Sequence, residues 1–256
     1  MTARLTVVGT GIQSGRDFSP QAIHRIRTAE KVFFLVADSV TALWLKQLNP
    51  DAESLGGFYS PKKRRIQTYT EMTDRIVSFV QQGADVCVVS YGHPGVSVYA
   101  THKAIARAKA MGVEATMMPA VSCIDCLIAD LGIDPAHGFA IFDATDFLFR
   151  RHRFDAHSGL MLTQIAVTAH GGYKKNGAYG RRGLRALITK LVGTYGRDHR
   201  VVVYQASPYA VTEPSIQWVA LADVPSATIV ETSTLYVPPR GVAPADKEML
   251  RRVRVE

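Results

Sequence analysis

Tyr91-Gly92-His93-Pro94-Gly95-Val96 lies between a predicted strand and a predicted helix. The preceding run, Val86-Cys87-Val88-Val89-Ser90, is short, apolar and β-branched, which predicts a buried strand ended by glycine and proline. Apolar residues then recur at helical spacing from 96 to 108. The two glycines let the backbone approach a ligand closely, and open α/β sheets bind ligands beyond the carboxyl ends of their strands. Taken alone, the stretch is also compatible with an ordinary strand-to-helix turn.

Strands and helices alternate along the first half of the chain. This alternation predicts a parallel sheet covered by helices on both faces. Apolar runs predict strands at 5–8, 31–36, 86–90, 113–118 and 139–143. Helical spacing and capping residues predict helices at 19–29, 39–48, 63–82, 96–111 and 122–131.

The second half of the chain has a different pattern. Residues 150–158 are polar and lack periodicity, which is typical of a linker. Strands are predicted at 160–166, 200–205, 216–220 and 228–237, with one helix at 184–193. We therefore predict an α/β protein of two domains. The mostly parallel N-terminal domain spans 1–149, the linker spans 150–158, and the C-terminal domain with a mixed sheet spans 159–256.

A glycine-rich loop, Gly9-Thr10-Gly11-Ile12-Gln13-Ser14-Gly15, follows the first predicted strand. Its last glycine comes one position too late for the GxGxxG fingerprint, so it is only a weak indication of dinucleotide binding.

Composition sets broad limits on the kind of protein. The 256 residues carry a net charge of +8, and basic residues cluster at 62–65, 150–153, 174–182 and 251–254. Such clusters attract nucleic acid or acidic peptides, or are simply solvated. The sequence has no membrane span and no signal peptide, and its three cysteines favour a cytoplasmic location. Cys123-Ile124-Asp125-Cys126 has metal or redox spacing without a second ligand pair, which favours packing over a metal site.

The combined motifs resemble a known family. The 9–11 loop, the 91–96 loop and Pro119-Ala120-Val121-Ser122 resemble the tetrapyrrole-methylase fold, class III S-adenosylmethionine methyltransferases that hold the cofactor in a cleft between two α/β domains. Most members carry a GDP-type central loop. The sequence of the Tyr91–Val96 loop instead resembles that of the borosin peptide backbone α-N-methyltransferases. Three further motifs share this resemblance, namely Asp130-Leu131-Gly132-Ile133-Asp134-Pro135, Gln164-Ile165-Ala166 and Ser233-Thr234-Leu235.

The resemblance implies two sets of site residues. The cofactor S-adenosyl-L-methionine, with S-adenosyl-L-homocysteine as product, would be bound by Tyr91, His93, Val96, Tyr99, Ser122, Gln164, Tyr204, Ser233 and Thr234. The reacting site would contain Tyr59, Arg65 and Tyr69. Gly56 stands where some members have another tyrosine, so the contribution of that ring to substrate placement is open.

Several of these residues also have structural alternatives. Tyr91 and Tyr99 are compatible with core packing, and His93 with a hydrogen bond inside its own loop. Gln164 falls in a predicted apolar strand, where a buried amide needs partners that a cofactor would supply. Arg65 and Tyr69 are four residues apart, so an exposed helix pair is the alternative for them.

Amide methylation explains why those three residues would be needed. The nitrogen lone pair is delocalised into the carbonyl, so the nitrogen is a poor nucleophile. Arg65 would stabilise the developing oxyanion, and Tyr69 would accept the N–H proton if the adjacent cation makes its phenol more acidic. Tyr59 would orient the amide or share in the proton relay.

The resemblance also implies partners. The chain ends soon after the last predicted strand, so we expect a separate ribosomally made precursor peptide, modified in trans, as in RiPP (ribosomally synthesised peptide) biosynthesis. We expect a homodimer, or a heterotetramer with two precursor peptides, and no membrane or nucleic acid partner. The loop at 170–183 would contact the peptide or the partner subunit. The alternatives are a corrin, porphyrin or RNA methyltransferase of the same fold, and a non-catalytic module that binds S-adenosylmethionine or a peptide.

Overall fold

The chain forms two compact units, each built from three separate segments. The computed structural model describes residues 3–13, 15–36, 38–174 and 179–253. The first unit contains Met1–Ile133, His170–Tyr179 and Gln205–Ser215. The second contains Asp134–Ala169, Gly180–Tyr204 and Ile216–Glu256.

A five-stranded parallel sheet forms the centre of the first unit, in the order β3-β2-β4-β1-β5. Its strands are β1 (Arg4–Gly9), β2 (Lys31–Leu35), β3 (Glu53–Ser54), β4 (Asp85–Ser90) and β5 (Glu114–Met117). All six residues of β4 are buried, which accounts for the unbroken apolar run in the sequence. The prediction of a mostly parallel sheet is confirmed.

Helices cover both faces of this sheet. They are α1 (Pro20–Thr28), α2 (Ser39–Leu48), α3 (Arg65–Gln81), α4 (Tyr99–Ala110) and α5 (Cys123–Leu131). Ile26 of α1 packs in the cluster that contains Val8, whereas Ala104 of α4 packs in the cluster that contains Val7. Because successive strand residues point to opposite faces, α1 and α4 lie on opposite faces of the sheet. The helices that follow the neighbouring strands β1 and β4 therefore diverge, which makes their carboxyl ends a topological switch point.

The helix starts follow the capping signals in the sequence. The Ser19 hydroxyl accepts a hydrogen bond from the Ala22 N–H, and Pro20 occupies the first helical position of α1. Ser122 and Asp125 form a reciprocal capping box at the start of α5. Both predicted starts are confirmed.

The second unit contains a mixed five-stranded sheet in the order β6-β7-β10-β8-β9. β6 and β7 are parallel, and β10 runs antiparallel to both β7 and β8. This confirms the predicted mixed sheet. The strands and helices of the second unit are β6 (Phe139–Asp143), α6 (Ala144–Phe149), β7 (Gly159–Thr163), α7 (Arg182–Tyr195), β8 (Arg200–Gln205), β9 (Ser215–Ala220), β10 (Thr234–Val237) and α8 (Lys247–Val253).

Two sequence predictions about the middle of the chain are wrong. The strand at 139–143 was expected to end the first half, but it pairs in parallel with β7. The predicted linker 150–158 lies inside the second unit, which already begins at Asp134 rather than after 149. Local sequence cannot identify a strand's partner, and this partner lies about 20 residues further along the chain.

Two strands of the second unit are shorter than expected. β7 ends at Thr163, because Gln164 adopts a left-handed backbone with φ of 58° and a 3-10 helix follows at Ile165–Val167. The strand predicted from 228 begins only at Thr234. A turn precedes it, in which the Val230 N–H donates to the Ser233 hydroxyl and the Ser233 N–H donates to the Val230 carbonyl.

Several basic clusters are partly neutralised by acidic neighbours. Lys63 pairs with Glu71, Arg150 with Asp146, and Arg252 with Glu248. These pairs favour ordinary solvated surfaces over an unbroken basic face. In the part of the chain that the structure describes, every helix is too short or too polar to cross a membrane.

We expect Asp85→Asn to destabilise the first unit in a pH-dependent way. Arg4 and Arg25 both donate to the Asp85 carboxylate, at 2.7 and 2.8 Å. Burial alone would raise the pKa of this carboxyl group, but these hydrogen bonds outweigh it and hold the pKa below its usual range. The substitution should lower the free energy of unfolding at pH 7 by about 1–3 kcal/mol.

Urea unfolding at several pH values measures this effect. A lowered pKa in the folded state stabilises above the ordinary carboxyl pKa, and the stabilisation is lost as the pH falls. The difference between wild type and variant should therefore shrink below about pH 4. Asp74→Asn removes an exposed ion pair with Arg107 and serves as the control, with an expected change of less than about 1 kcal/mol. Equal effects of the two substitutions would contradict the prediction.

Candidate active site

Two loops meet at the switch point of the first unit. The Thr10 N–H donates to the Ser90 carbonyl at 2.9 Å, and the Gly92 N–H donates to the Gly11 carbonyl at 3.0 Å. A side chain on Gly9 would overlap the carbonyl oxygen of Gly92. Glycine is therefore required at position 9 so that the loops after β1 and β4 can lie against each other.

An internal carboxylate fills the glycine-rich loop. Asp17 accepts hydrogen bonds from the N–H groups of Ile12 and Gln13, at 3.1 and 2.8 Å. These amides are thus occupied and cannot hold a phosphate, which agrees with the weak dinucleotide fingerprint. The side-chain oxygen of Gln13 is buried and has no hydrogen-bond partner among the described residues. An orphaned acceptor of this kind suits a ligand that carries N–H or O–H donors.

The Tyr91–Val96 loop is held by its own hydrogen bonds. His93 Nδ1 accepts from the Gly95 N–H at 3.0 Å, and the Gly95 carbonyl bonds to His102 Nε2 at 2.8 Å. The Thr101 hydroxyl donates to the Pro94 carbonyl at 2.7 Å. The alternative reading of His93, a hydrogen bond inside its loop, is confirmed. Its Nδ1 is therefore occupied by the backbone of the loop.

The other first-unit residues predicted to bind the cofactor also follow strand ends. Burial raises the pKa of the half-buried Tyr91 to about 12, so its phenol stays neutral and remains a donor. Val96 is half-buried, and Tyr99, at the start of α4, is 40% exposed, which excludes core packing for it. The Ser122 hydroxyl donates to Asp125 at 2.6 Å and accepts from the Ile124 N–H, so it is engaged in the helix cap.

The remaining four predicted residues lie at one end of the second unit's sheet. Gln164 follows the carboxyl end of β7, and Tyr204 lies near the carboxyl end of β8, directly opposite Thr234 of β10. Ser233 precedes Thr234, and both are buried. Gln164 is half-buried and lies beyond the strand in which it was predicted.

Tyr59, Arg65 and Tyr69 lie close together in the first unit. The Tyr59 and Tyr69 rings meet edge to face with centroids 6.4 Å apart, and the Tyr69 and Tyr99 rings stack at 6.2 Å. Tyr59, Arg65 and Tyr69 are all half-buried, so the alternative of an exposed helix pair is wrong. Burial is the main reason that the pKa of Tyr59 is raised; the neighbouring Tyr69 adds to this effect, and the positive charge of Arg65 opposes it only partly. Tyr59 is therefore a neutral hydrogen-bond donor.

Two further tyrosines complete this cluster. Tyr173 packs on Tyr59 with ring centroids 4.9 Å apart, and Tyr179 accepts a hydrogen bond from Arg65 Nη2 at 3.0 Å. Neither residue was predicted from the sequence to belong to the site. The available signal was the Gly-, Lys- and Tyr-rich composition of the loop at 170–183.

The Arg65 side chain also carries a donor suited to a ligand oxygen. Its Nε–H is buried and has no hydrogen-bond partner among the residues that the structure describes. An unpaired buried donor costs free energy, and a ligand oxygen would satisfy it. A cation, a neutral phenol donor and a second phenol oxygen can together polarise a carbonyl group and accept a proton.

We expect Gly9→Ala to disturb both loops. The added methyl group must displace the backbone of Gly92, and overpacking of this kind costs about 1–3 kcal/mol. The melting temperature should fall, and binding of the cofactor expected from the sequence, S-adenosylmethionine, should weaken when measured by calorimetry. Gly193→Ala in α7 is the control, because a Cβ there meets no atom within 4 Å and alanine is a better helix former. Unchanged stability and affinity in Gly9→Ala would refute the packing argument.

No metal site is found in the described part of the chain, where no three His, Cys, Asp or Glu side chains lie close enough to share an ion. Cys123 and Cys126 lie on α5 and are not joined in a disulfide. The second unit has a surface cavity of about 360 Å³ lined by Arg185, Ile188, Thr189, Val192, Arg197, Ala222 and Pro225. It includes none of the predicted site residues.

The fold and the position of these residues define a class: a two-unit α/β protein with its candidate site at the carboxyl edge of a parallel sheet. The chain belongs to the tetrapyrrole (corrin/porphyrin) methylases, whose family model matches residues 4–210. The uroporphyrin-III-C-methyltransferase of Thermus thermophilus superposes with a TM-score of 0.66 over 97% of this chain and 100% of that one. At 16% sequence identity, this likeness concerns the fold alone.

Similar sequences include proteins whose names combine a methyltransferase with a peptide precursor. The methyltransferase/ribosomally synthesized cyclic peptide omphalotin A precursor of Omphalotus olearius is 36% identical over 256 residues, covering 98% of this chain and 61% of that protein. The methyltransferase/ribosomally synthesized type I borosin cyclic peptide precursor of Coprinopsis marcescibilis is 36% identical over 260 residues, covering 97% and 65%. The chain thus spans about three-fifths of the length of these curated relatives.

Proposed function

We propose that this protein is an S-adenosylmethionine-dependent methyltransferase that N-methylates backbone amides of a separate, ribosomally made precursor peptide. The arrangement of Tyr59, Arg65 and Tyr69 carries the proposal, above all the buried Nε–H of Arg65, for which the described residues supply no partner. Family membership supports the methyltransferase activity, and the names of the relatives, which join a methyltransferase and a cyclic peptide precursor in one protein, support a peptide substrate.

The three residues divide the work of activating an amide. Arg65 donates to the substrate carbonyl oxygen and stabilises the negative charge that develops there. Tyr69, in its deprotonated form, accepts the proton that leaves the amide nitrogen, and Tyr59, whose ring meets that of Tyr69 edge to face, serves as a neutral hydrogen-bond donor. The nitrogen lone pair is then free to form the new N–C bond. When bound, S-adenosylmethionine supplies the electrophilic methyl group and is released as S-adenosylhomocysteine.

The first unit has features that suit this cofactor. The orphaned Gln13 oxygen offers an acceptor to an N–H or O–H group, and Tyr91 offers a neutral donor. We assign cofactor contacts in this unit to Tyr91, His93, Val96, Tyr99 and Ser122, and in the second unit to Gln164, Tyr204, Ser233 and Thr234. Alanine variants of each unit, titrated with S-adenosylmethionine, test the two sets separately. The proposal also includes a homodimer, which light scattering tests.

Intact-mass analysis tests the reaction. A short peptide encoded beside this gene is co-expressed with the enzyme, and fragmentation then locates any added mass. Methyl-sized increments on backbone nitrogens are expected, and the peptide expressed alone should show none. Methyl transfer to a corrin, a porphyrin or RNA instead of any peptide would overturn the substrate assignment. Cofactor binding without transfer to any of them would identify a binding module.

A further inference from the structure

One segment of the first unit comes from a distant part of the chain. Residues His170–Tyr179 follow β7 of the second unit, yet they belong to the first unit. The Arg65 N–H donates to the Gly171 carbonyl at 2.8 Å, and Arg64 and Gly172 form an isolated antiparallel bridge. The N-cap residue Arg64 makes no side-chain hydrogen bond to the first N–H groups of α3. The Gly171 carbonyl therefore supplies a partner that the helix start would otherwise lack.

The same segment holds the Arg65 side chain. Tyr179 Oη accepts from Arg65 Nη2 at 3.0 Å and from the Lys174 N–H at 3.1 Å. A phenol oxygen has two acceptor positions, so these two donors use both. The Arg65 guanidinium carbon also lies 5.4 Å from the centre of the Tyr179 ring, within the range of a cation–π interaction. His170 packs against the Tyr179 ring at 5.3 Å.

This contact limits the orientation of a planar group. The guanidinium carries five N–H donors in a fixed fork, so holding Nη2 restricts rotation of the whole group. The Nε–H, at another edge of the fork, is buried and has no hydrogen-bond partner within the described ranges. A donor fixed in advance stabilises a developing oxyanion without reorganising at the moment of reaction.

We infer that Tyr179 is a positioning residue: it fixes the Arg65 guanidinium so that the Nε–H faces the carbonyl oxygen of the substrate. This inference deepens the proposed function and rests on it. Tyr179 itself touches Arg65 and Lys174 and need not touch the substrate. Residues far apart in the sequence thereby determine how well one donor is aimed.

Tyr179→Phe is the direct test, because it removes the acceptor and keeps the ring. We expect kcat for peptide methylation to fall about 10- to 100-fold, with KM for the peptide and affinity for S-adenosylmethionine nearly unchanged. Tyr209→Phe, at an exposed tyrosine of the same unit, is the matched control and should leave kcat unchanged. A kcat within twofold of wild type in Tyr179→Phe would overturn the inference.

A double-substitution cycle separates positioning from a general structural effect. In the Arg65→Lys background the guanidinium is absent, so adding Tyr179→Phe should lower kcat further by less than about twofold. Fully independent effects, which multiply, would also overturn the inference.

A second measurement does not depend on methyl transfer. With 15N-labelled arginine, the Arg65 Nε–H signal is assigned by its loss in Arg65→Lys. In wild type, the guanidinium should rotate slowly and its Nε–H should exchange slowly with solvent. In Tyr179→Phe, both the rotation rate and the exchange rate should increase. If no peptide is methylated by wild type, the proposed function fails while this measurement still decides whether Tyr179 holds Arg65. Identical spectra of the guanidinium in wild type and Tyr179→Phe would refute the positioning role.

Discussion

Tyr69→Phe should lower the rate of peptide methylation by about a thousandfold, since general acid–base groups contribute roughly 10²–10⁴. The substitution removes one oxygen atom and keeps the ring that packs on Tyr59 and Tyr99. Cofactor affinity should therefore be nearly intact, while the amide proton has no acceptor. Single-turnover kinetics with saturating peptide, alongside calorimetric titration with S-adenosylmethionine, measures both quantities.

Tyr195→Phe is a suitable control for this experiment. The Tyr195 hydroxyl is buried in the second unit and has no hydrogen-bond partner among the described residues, so its removal should be harmless. Turnover at the wild-type rate in Tyr69→Phe would show that another group accepts the proton. A large loss of cofactor affinity would instead show that Tyr69 acts in binding.

Arg65→Gln should reduce kcat by about 10²–10³-fold, which is the usual effect of removing an oxyanion donor. The loss should appear mainly in kcat, because the charge that Arg65 stabilises develops only as the amide is activated. Steady-state kinetics over a range of peptide concentrations separates kcat from KM.

Arg64→Gln provides the matched control for charge. Arg64 directly precedes Arg65 and is exposed. It occupies the N-cap position of α3, but its side chain makes no capping hydrogen bond. Both variants lose one positive charge at the same helix end, so a purely electrostatic effect on peptide attraction would lower both rates alike. Equal losses in the two variants would contradict the assigned role of Arg65.

Local signals in the sequence were sufficient to predict much of the secondary structure of the first unit. Ser19-Pro20 and Ser122 marked helix starts because capping depends on neighbours within three residues. The buried strand β4 and the loop after it could also be predicted from the local sequence. Together they place Tyr91 and His93 at the switch point. Tyr59, Arg65 and Tyr69 lie within eleven residues, so their proximity was also predictable.

Contacts between residues far apart in the sequence could not be predicted. Phe139–Asp143 has the composition of a strand in either sheet, and only its pairing with β7 decides between them. The left-handed backbone at Gln164, which ends β7, had no glycine to indicate it. The hydrogen bond between Arg65 and Tyr179 joins residues 114 positions apart, a distance over which single-sequence periodicity carries no information.

The interleaved composition of the two units has a consequence for modular exchange. A single cut after Ile133 yields a fragment that lacks His170–Tyr179 and Gln205–Ser215, two of the three segments of the first unit. Such a fragment would lose the carbonyl that meets the start of α3 and the phenol that holds Arg65. Grafting this unit into another protein therefore requires three transplanted segments, and recombination at one crossover point would separate the parts of its candidate active site.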